Sequence, residues 1–338
     1  MRYIPYGQDL ERVPNIVVGG GGNDATALEL SQRPGNATPA ELKADTSLEI
    51  VLNYLRSPQR DAYTGAAEAV SSSRYDIDGL LSLWAVLNPE AALKRAELLV
   101  AVAACASFDR WCGEVAAKIA CALRGLATFD SSPVKTGLDA AGDDLKRTAH
   151  LYQETLLLLP QLLDGVDEFE SYWRDEYRQV EAGRSLFAEG TATVKEMPEV
   201  HLAIFTLPEE VHNIALYEQT NMSRVALLLP EQRYRARYRY ETWVELASQR
   251  PPPRIDLRPF ADLLEAFEGS PGVWTADDVS TAIQQLQLRG GDGESSITPG
   301  LFVRLLAQHL RDNAADEALL WSPYPADDAG VEEKREDE

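Results

Sequence analysis

Short apolar runs separated by glycine, proline and acidic turns mark the first part of the chain, and longer helical stripes follow them. Ile16-Val17-Val18 reads as a buried strand running into Gly19-Gly20-Gly21-Gly22-Asn23-Asp24, a flexible turn, and Ala25 to Ser31 reads as the strand returning from it. Pro34-Gly35 and Pro39 mark a loop. Thr46 to Arg56 is expected to be helical, with Asp45 as a possible cap. Ala69-Val70-Ser71-Ser72-Ser73 then reads as a short strand, Arg74-Tyr75-Asp76-Ile77-Asp78-Gly79 as an acidic turn, and the residues from near Leu80 as an apolar helix. Within the Ala/Leu-rich stretch Glu90 to Leu126, the run Leu98 to Ala103 fits a buried strand or a helix, because periodicity alone does not separate the two. Pro133 to Asp144 reads as a surface loop. Leu145 to Phe187 reads as a long helical connector that Gly190 ends.

Beyond Thr191 the pattern changes. Val200 to Phe205, Val225 to Leu229 and Arg233 to Val244 read as strands. Asp256 to Phe267, Ala276 to Leu288 and Pro299 to Leu310 read as helices. The expected fold class is α/β: a Rossmann-like α/β N-terminal domain with a helical connector over residues 1–190, and a smaller α+β domain over 191–322. Residues 323–338 carry seven acids against two bases and are expected to form a disordered acidic tail.

Composition narrows the function classes. At 338 residues and 45% hydrophobic content the chain can bury a full core in one large domain or two. A net charge of −22 argues against nucleic acid as a partner, since phosphate recognition needs a basic surface, and against an anionic membrane. The N-terminus shows no apolar signal region and the longest apolar run is far short of a span, so a cytoplasmic location is expected. Cys105, Cys112 and Cys121 lack the paired spacing of a zinc site and read as buried thiols. The Gly19–Gly22 run has neither a phosphate-loop lysine nor dinucleotide-fingerprint spacing, so no nucleotide cofactor is expected.

The acidic turn is the feature with chemistry in it. Side chains at i and i+2 of extended backbone point to one side, so Asp76 and Asp78 can converge on a hard cation. Gly79 allows close backbone approach, and the following helix offers its positive end to an anion. An ordinary turn with Asp as a helix cap accounts for the same residues equally well. If Leu98 to Ala103 is a strand, Asp109 leaves a carboxyl sheet edge and becomes a further ligand candidate; otherwise it caps the next helix.

The segment is similar to the first motif of DHH-type phosphoesterases, where a strand ends in His-x-Asp-x-Asp and a small-residue helix follows; Arg74 stands at the histidine's place. Leu30 to Pro39, Asp45-Thr46-Ser47 and Tyr75 to Pro89 also resemble an uncharacterised family of bacterial proteins whose pattern reads Leu-Ser-His-Trp-Pro-Gly-Asn and later Asn-His-Phe-Asp-x-Asp-Gly. Gln32 and Arg74 occupy its two histidine positions. The resemblance implies a divalent-metal phosphoesterase in which Asp76 and Asp78, with Asp45 and Asp109, hold Mn²⁺ or Mg²⁺ and the metal activates water. The loss of both histidines implies the alternative, an inactive anion-binding or scaffold protein in which Arg74 holds the anion.

A second segment bears on substrate. Along the strand expected over Arg233 to Val244, Arg235, Arg237 and Arg239 share one face and Tyr234, Ala236, Tyr238 and Tyr240 the other. The arginines either pair with internal carboxylates or form an anion site. His212, in a polar loop, is the histidine best placed for a site. His201, His150 and His309 read as packed or surface residues. The expected partner is a small anionic molecule.

Overall fold

The computed structural model describes residues 1–138 and 142–324. The chain forms two compact units: Met1–Glu181 joined by Leu246–Gln249, and Ala182–Glu245 with the chain from Arg250 onward. The division falls inside a helix, a few residues before the composition changes at Thr191.

Unit 1 is built on a four-stranded sheet of β1 (Arg2–Tyr3), β2 (Asn15–Val18), β3 (Thr26–Leu30) and β4 (Ala69–Ser71), in the order β1-β4-β2-β3. Every pairing is parallel. Parallel sheets are covered on both faces, which explains why Ile16, Val17, Val18, Ala69 and Val70 form unbroken apolar runs, all fully buried. The covering helices are α1 (Ser47–Arg56), α2 (Arg60–Thr64), α3 (Ile77–Leu87), α4 (Pro89–Lys94), α5 (Ala96–Phe108), α6 (Glu114–Thr128), α7 (Asp144–Asp164) and the first part of α8 (Glu170–Ala188).

Two expectations change here, and one open alternative is decided. The strand after the glycine run is parallel to β2, not antiparallel. Gly19 turns at φ 61°, the Asn15 N–H reaches back to Ala25 O at 3.1 Å, and the loop between them retraces the length of β2 before β3 begins. Leu98 to Ala103 is helical within α5, and Leu99, Val102 and Ala103 are buried at i, i+3 and i+4. Asp109 therefore leaves a helix in left-handed conformation (φ 51°) and stands at no sheet edge. The long connector breaks at Gly165 and Val166–Phe169 into α7 and α8, and Gly190 (φ 75°) follows the second helix.

Unit 2 holds a mixed six-stranded sheet, β10-β11-β8-β7-β6-β5, in which only β6 and β7 run parallel. Its strands are β5 (Thr193–Met197), β6 (Leu202–Thr206), β7 (Arg224–Leu229), β8 (Arg233–Tyr238), β10 (Val273–Ala276) and β11 (Gln285–Arg289). A separate antiparallel pair joins β9 (Arg254–Ile255) to β12 (Leu320–Trp321). The helices are α9 (Asn213–Tyr217), α10 (Arg258–Glu265) and α11 (Pro299–Asp312).

Alternation divides this sheet into two faces. Ile204, Ala226, Tyr234, Ala236, Tyr238 and Leu286 pack against Phe260 of α10 and Phe302, Leu306 and Leu310 of α11. Ala203, Phe205, Val225, Leu227 and Leu229 pack against Leu216 of α9. The helix expected over Ala276 to Leu288 does not form: Ala276 ends β10, residues 277–284 are a loop, and Gln285 to Leu288 lie in β11. Leu286 and Leu288 point into the core while Gln285 and Gln287 stay outside, a period of two that the Gln-rich, good helix-forming composition conceals. The chain is thus a mixed α/β protein. Residues 325–338, most of the expected acidic tail, lie outside the described residues. Among the described residues no helix is long and apolar enough to cross a membrane.

Candidate site at the carboxyl edge of the parallel sheet

Because all four strands of unit 1 run the same way, the loops that follow them gather at one edge, the place where open α/β sheets bind ligands. Gly19 and Gly20 follow β2, Ser31 to Arg33 follow β3, and Ser72 to Asp78 follow β4. The fit is close. A Cβ on Gly20 would lie 2.3 Å from Ser73 Oγ, and one on Gly79 would lie 2.6 Å from the Tyr152 hydroxyl. Gly79 is needed for packing, and the loops approach one another closely there.

Asp76 is the N-cap of α3. Its Oδ1 accepts from Gly79 N at 2.6 Å, satisfying one of the donors a helix start leaves open. Its Oδ2 pairs with Arg33 Nη2 at 2.7 Å. The helix starts at Ile77, three residues earlier than expected, and so Asp78 lies inside its first turn.

Asp78 is buried, with 3% of its surface exposed. Oδ1 accepts from Leu48 N at 2.9 Å, and Oδ2 accepts from Ser47 N at 2.8 Å and from Gln32 Nε2 at 3.0 Å. Those two backbone donors are the first residues of α1, so this carboxylate fastens the start of α1 to the start of α3. Gln32 completes the link, since its carbonyl accepts from the Ser47 hydroxyl. Burial and the neighbouring Asp76 charge push the Asp78 carboxyl up to about 6, while the three N–H donors pull the other way.

The resemblance implies Mn²⁺ or Mg²⁺ here, and the donor set does not fit either ion. A hard cation needs several open oxygens. Asp78 has spent its oxygens on N–H donors, Asp76 is divided between a helix cap and a guanidinium, and Gln32 turns its nitrogen toward the carboxylate. Asp45 faces elsewhere: its carboxylate accepts from Ala247 N, Ser248 N and Ser248 Oγ, anchoring the segment that returns to unit 1, while Thr46 caps α1 through a capping box with Glu49. Asp109 sits at the end of α5, near the Arg124 guanidinium and the Cys105 thiol. Among the described residues no group of three or more His, Cys, Asp or Glu side chains could hold a metal ion.

A family of unknown function, DUF6687, matches residues 1–319 of the chain. The chain belongs to this family. No curated protein and no solved structure matches it.

Arg74, expected from the resemblance to stand at a histidine position, follows β4 in this DUF6687 member. It is exposed, and among the described residues its guanidinium has no carboxylate partner. Its carbonyl is fixed by the Tyr152 hydroxyl at 2.6 Å. Arg33 and Tyr152 were not foreseen from sequence. Arg33 was within reach, since it follows Gln32 in the same loop; Tyr152 comes from α7 and leaves no local signal.

The arginine ladder of unit 2 lies on the face of the sheet that α9 covers, and each member has an internal partner. Arg235 pairs with Glu210 at 2.7 Å, Arg237 donates to Asn213 Oδ1 at 2.6 Å and stacks over Tyr217, and Arg239 pairs with Glu241 at 2.8 Å in a buried ion pair. His212 caps α9, its Nδ1 accepting from Ile214 N at 3.2 Å. These four residues belong to unit 2, and the acidic turn belongs to unit 1. Cys105 and Cys121 are buried, and burial pushes their thiols far up, as inert thiols behave.

Proposed function

We propose that this protein is a metal-independent, non-hydrolytic binding protein that retains a phosphoesterase-like acidic turn as a structural fastening and presents cationic groups to a small anion. One observation carries the reading: at the carboxyl edge of the parallel sheet both acids are consumed internally, while the Arg74 guanidinium is exposed and has no carboxylate partner among the described residues. A guanidinium cannot become a metal ligand, but its fork matches phosphate or carboxylate oxygens. Arg33, 20% exposed along its side chain and paired with Asp76, is a second cation at this edge, in the loop after β3.

On this reading unit 1 is a Rossmann-like relic of the DHH-type design, with Gln32 and Arg74 in place of two histidine ligands. Its three free cysteines suit a cytoplasmic location. Inorganic phosphate titrated into the full chain at low salt is expected to bind, and Arg74→Ala to weaken that binding at least tenfold. Bis(p-nitrophenyl) phosphate with Mn²⁺ is expected to remain intact. Mn²⁺-dependent hydrolysis that Asp76→Ala abolishes would restore the enzyme reading; unaltered phosphate affinity in Arg74→Ala would remove the anion from this edge.

A further inference from the structure

On the opposite face of the unit 2 sheet from the arginine ladder, α11 does not cover β5 and β6 completely, and a cleft of about 450 Å³ opens between them. That volume is in the range of small-molecule sites, roughly 300–1,000 Å³. Its floor is apolar: Ile204 and Leu228 from the sheet, with Val303 from the helix. Its rim is cationic. Lys195 lies directly across from Ile204 in the β5–β6 register and shares its face. Arg304 and Arg311 are seven residues apart on α11, one stripe of one helix side, and both line the cleft.

These cations are poorly compensated, which is unusual in a chain of net charge −22. Elsewhere in unit 2 arginines have found carboxylates, as in Arg184 with Glu218 and Arg258 with Asp256, each pair within 2.7 Å. Among the described residues Lys195 and Arg304 have no carboxylate partner, and Arg311 comes only to 3.8 Å from Glu199. The helix adds to the same field. Thr298, the N-cap of α11, makes no side-chain cap, and Gly300 in the first turn opens into the cleft.

An apolar floor and a cationic rim call for one molecule that satisfies both. We propose that this cleft binds an amphipathic organic anion, an apolar body carrying a carboxylate or phosphate head, with the body on Ile204, Leu228 and Val303 and the head between Lys195, Arg304 and Arg311. Burying the body removes exposed apolar surface from water, and the guanidinium forks take the head's oxygens. The inference is independent of the unit 1 edge.

Calorimetric titration of the full chain with dodecanoate, dodecyl phosphate, dodecanol and acetate, each below its aggregation concentration, tests it. Dodecanoate or dodecyl phosphate is expected to bind at least tenfold more tightly than dodecanol and a hundredfold more tightly than acetate, with affinity falling as salt rises. The preferred head distinguishes a carboxylate from a phosphate ligand. Arg304→Ala with Arg311→Ala, both exposed positions whose loss leaves the fold intact by circular dichroism, is expected to reduce affinity at least tenfold. Dodecanol binding as tightly as both anions, acetate binding as tightly as dodecanoate, or an unchanged affinity in the double variant would each overturn the proposal.

Discussion

The acidic turn of unit 1 and the cleft of unit 2 are opposites in both sequence and structure. In the turn, Asp76 and Asp78 stand two residues apart and attract attention as a motif, yet both carboxylates are met from inside the protein: Asp78 by Ser47, Leu48 and Gln32, Asp76 by Gly79 and Arg33. In the cleft, Lys195, Arg304 and Arg311 lie far apart along the chain and form no motif, yet the fold collects them around apolar surface without adequate counter-charges. Spacing in sequence reports what can converge locally. Whether the converged groups remain available depends on residues arriving from elsewhere, and availability is what a binding site requires.

Removing the Asp78 carboxylate should have the largest effect of any change at the turn. Asp78→Ala leaves two backbone donors and the Gln32 amide buried without an acceptor, at about 1–3 kcal/mol for each unsatisfied group when the surroundings do not relax. A loss of about 3 kcal/mol at neutral pH by urea denaturation is expected; a loss below about 1 kcal/mol would mean that the fastening is not structural. The same pair of proteins carries a pH signature. The folded-state pKa of Asp78 is raised to about 6, so the native state holds this proton more tightly than the unfolded chain does. The resulting contribution is fully present below the unfolded value and is lost as pH rises through 6. The advantage of wild type over Asp78→Ala should therefore be larger at pH 4 than at pH 7, by up to about 3 kcal/mol for a shift of about two pKa units. A difference that grows with pH instead would contradict the assignment.

The exposed half of the turn should respond more weakly. Asp76→Ala removes a helix cap and a partly exposed ion pair, together about 1–2 kcal/mol. Asp76→Asn keeps a capping side chain and gives up mainly the pairing with Arg33, so it should cost less than about 1 kcal/mol. Equal losses in the two variants would shift the weight from the cap to the ion pair.

The legible parts of this fold were those with strong local causes. Ile16-Val17-Val18 and Ala69-Val70 read as buried strands because a doubly covered parallel strand is apolar throughout, and the alternating β8 gave its two faces correctly, with Tyr234, Ala236 and Tyr238 in the core. The direction of β3 was hidden because it depends on a loop that retraces β2, held by Asn15 and by the left-handed Gly19. β11 was hidden because Gln285 to Leu288 combines strong helix formers with a period-two burial that only the neighbouring β8 and β10 select. Asp76 and Asp78 were recognisable as a pair, and either role fitted them. What decided between ligand and fastening was Ser47, Leu48 and Arg33, whose approach depends on where α1 and the loop after β3 dock.

The central claim is that the acidic turn holds the protein together and holds no metal. The melting temperature of the full chain with and without 1 mM Mn²⁺ tests it most directly. An ion bound with a dissociation constant of ~10 μM would stabilise the native state by about 2.7 kcal/mol at that concentration, a rise of about 4 °C for a chain of this length. No change beyond about 1 °C is expected, in wild type and in Asp78→Ala alike; a rise of that larger size in wild type, absent from Asp78→Ala, would show a bound metal instead.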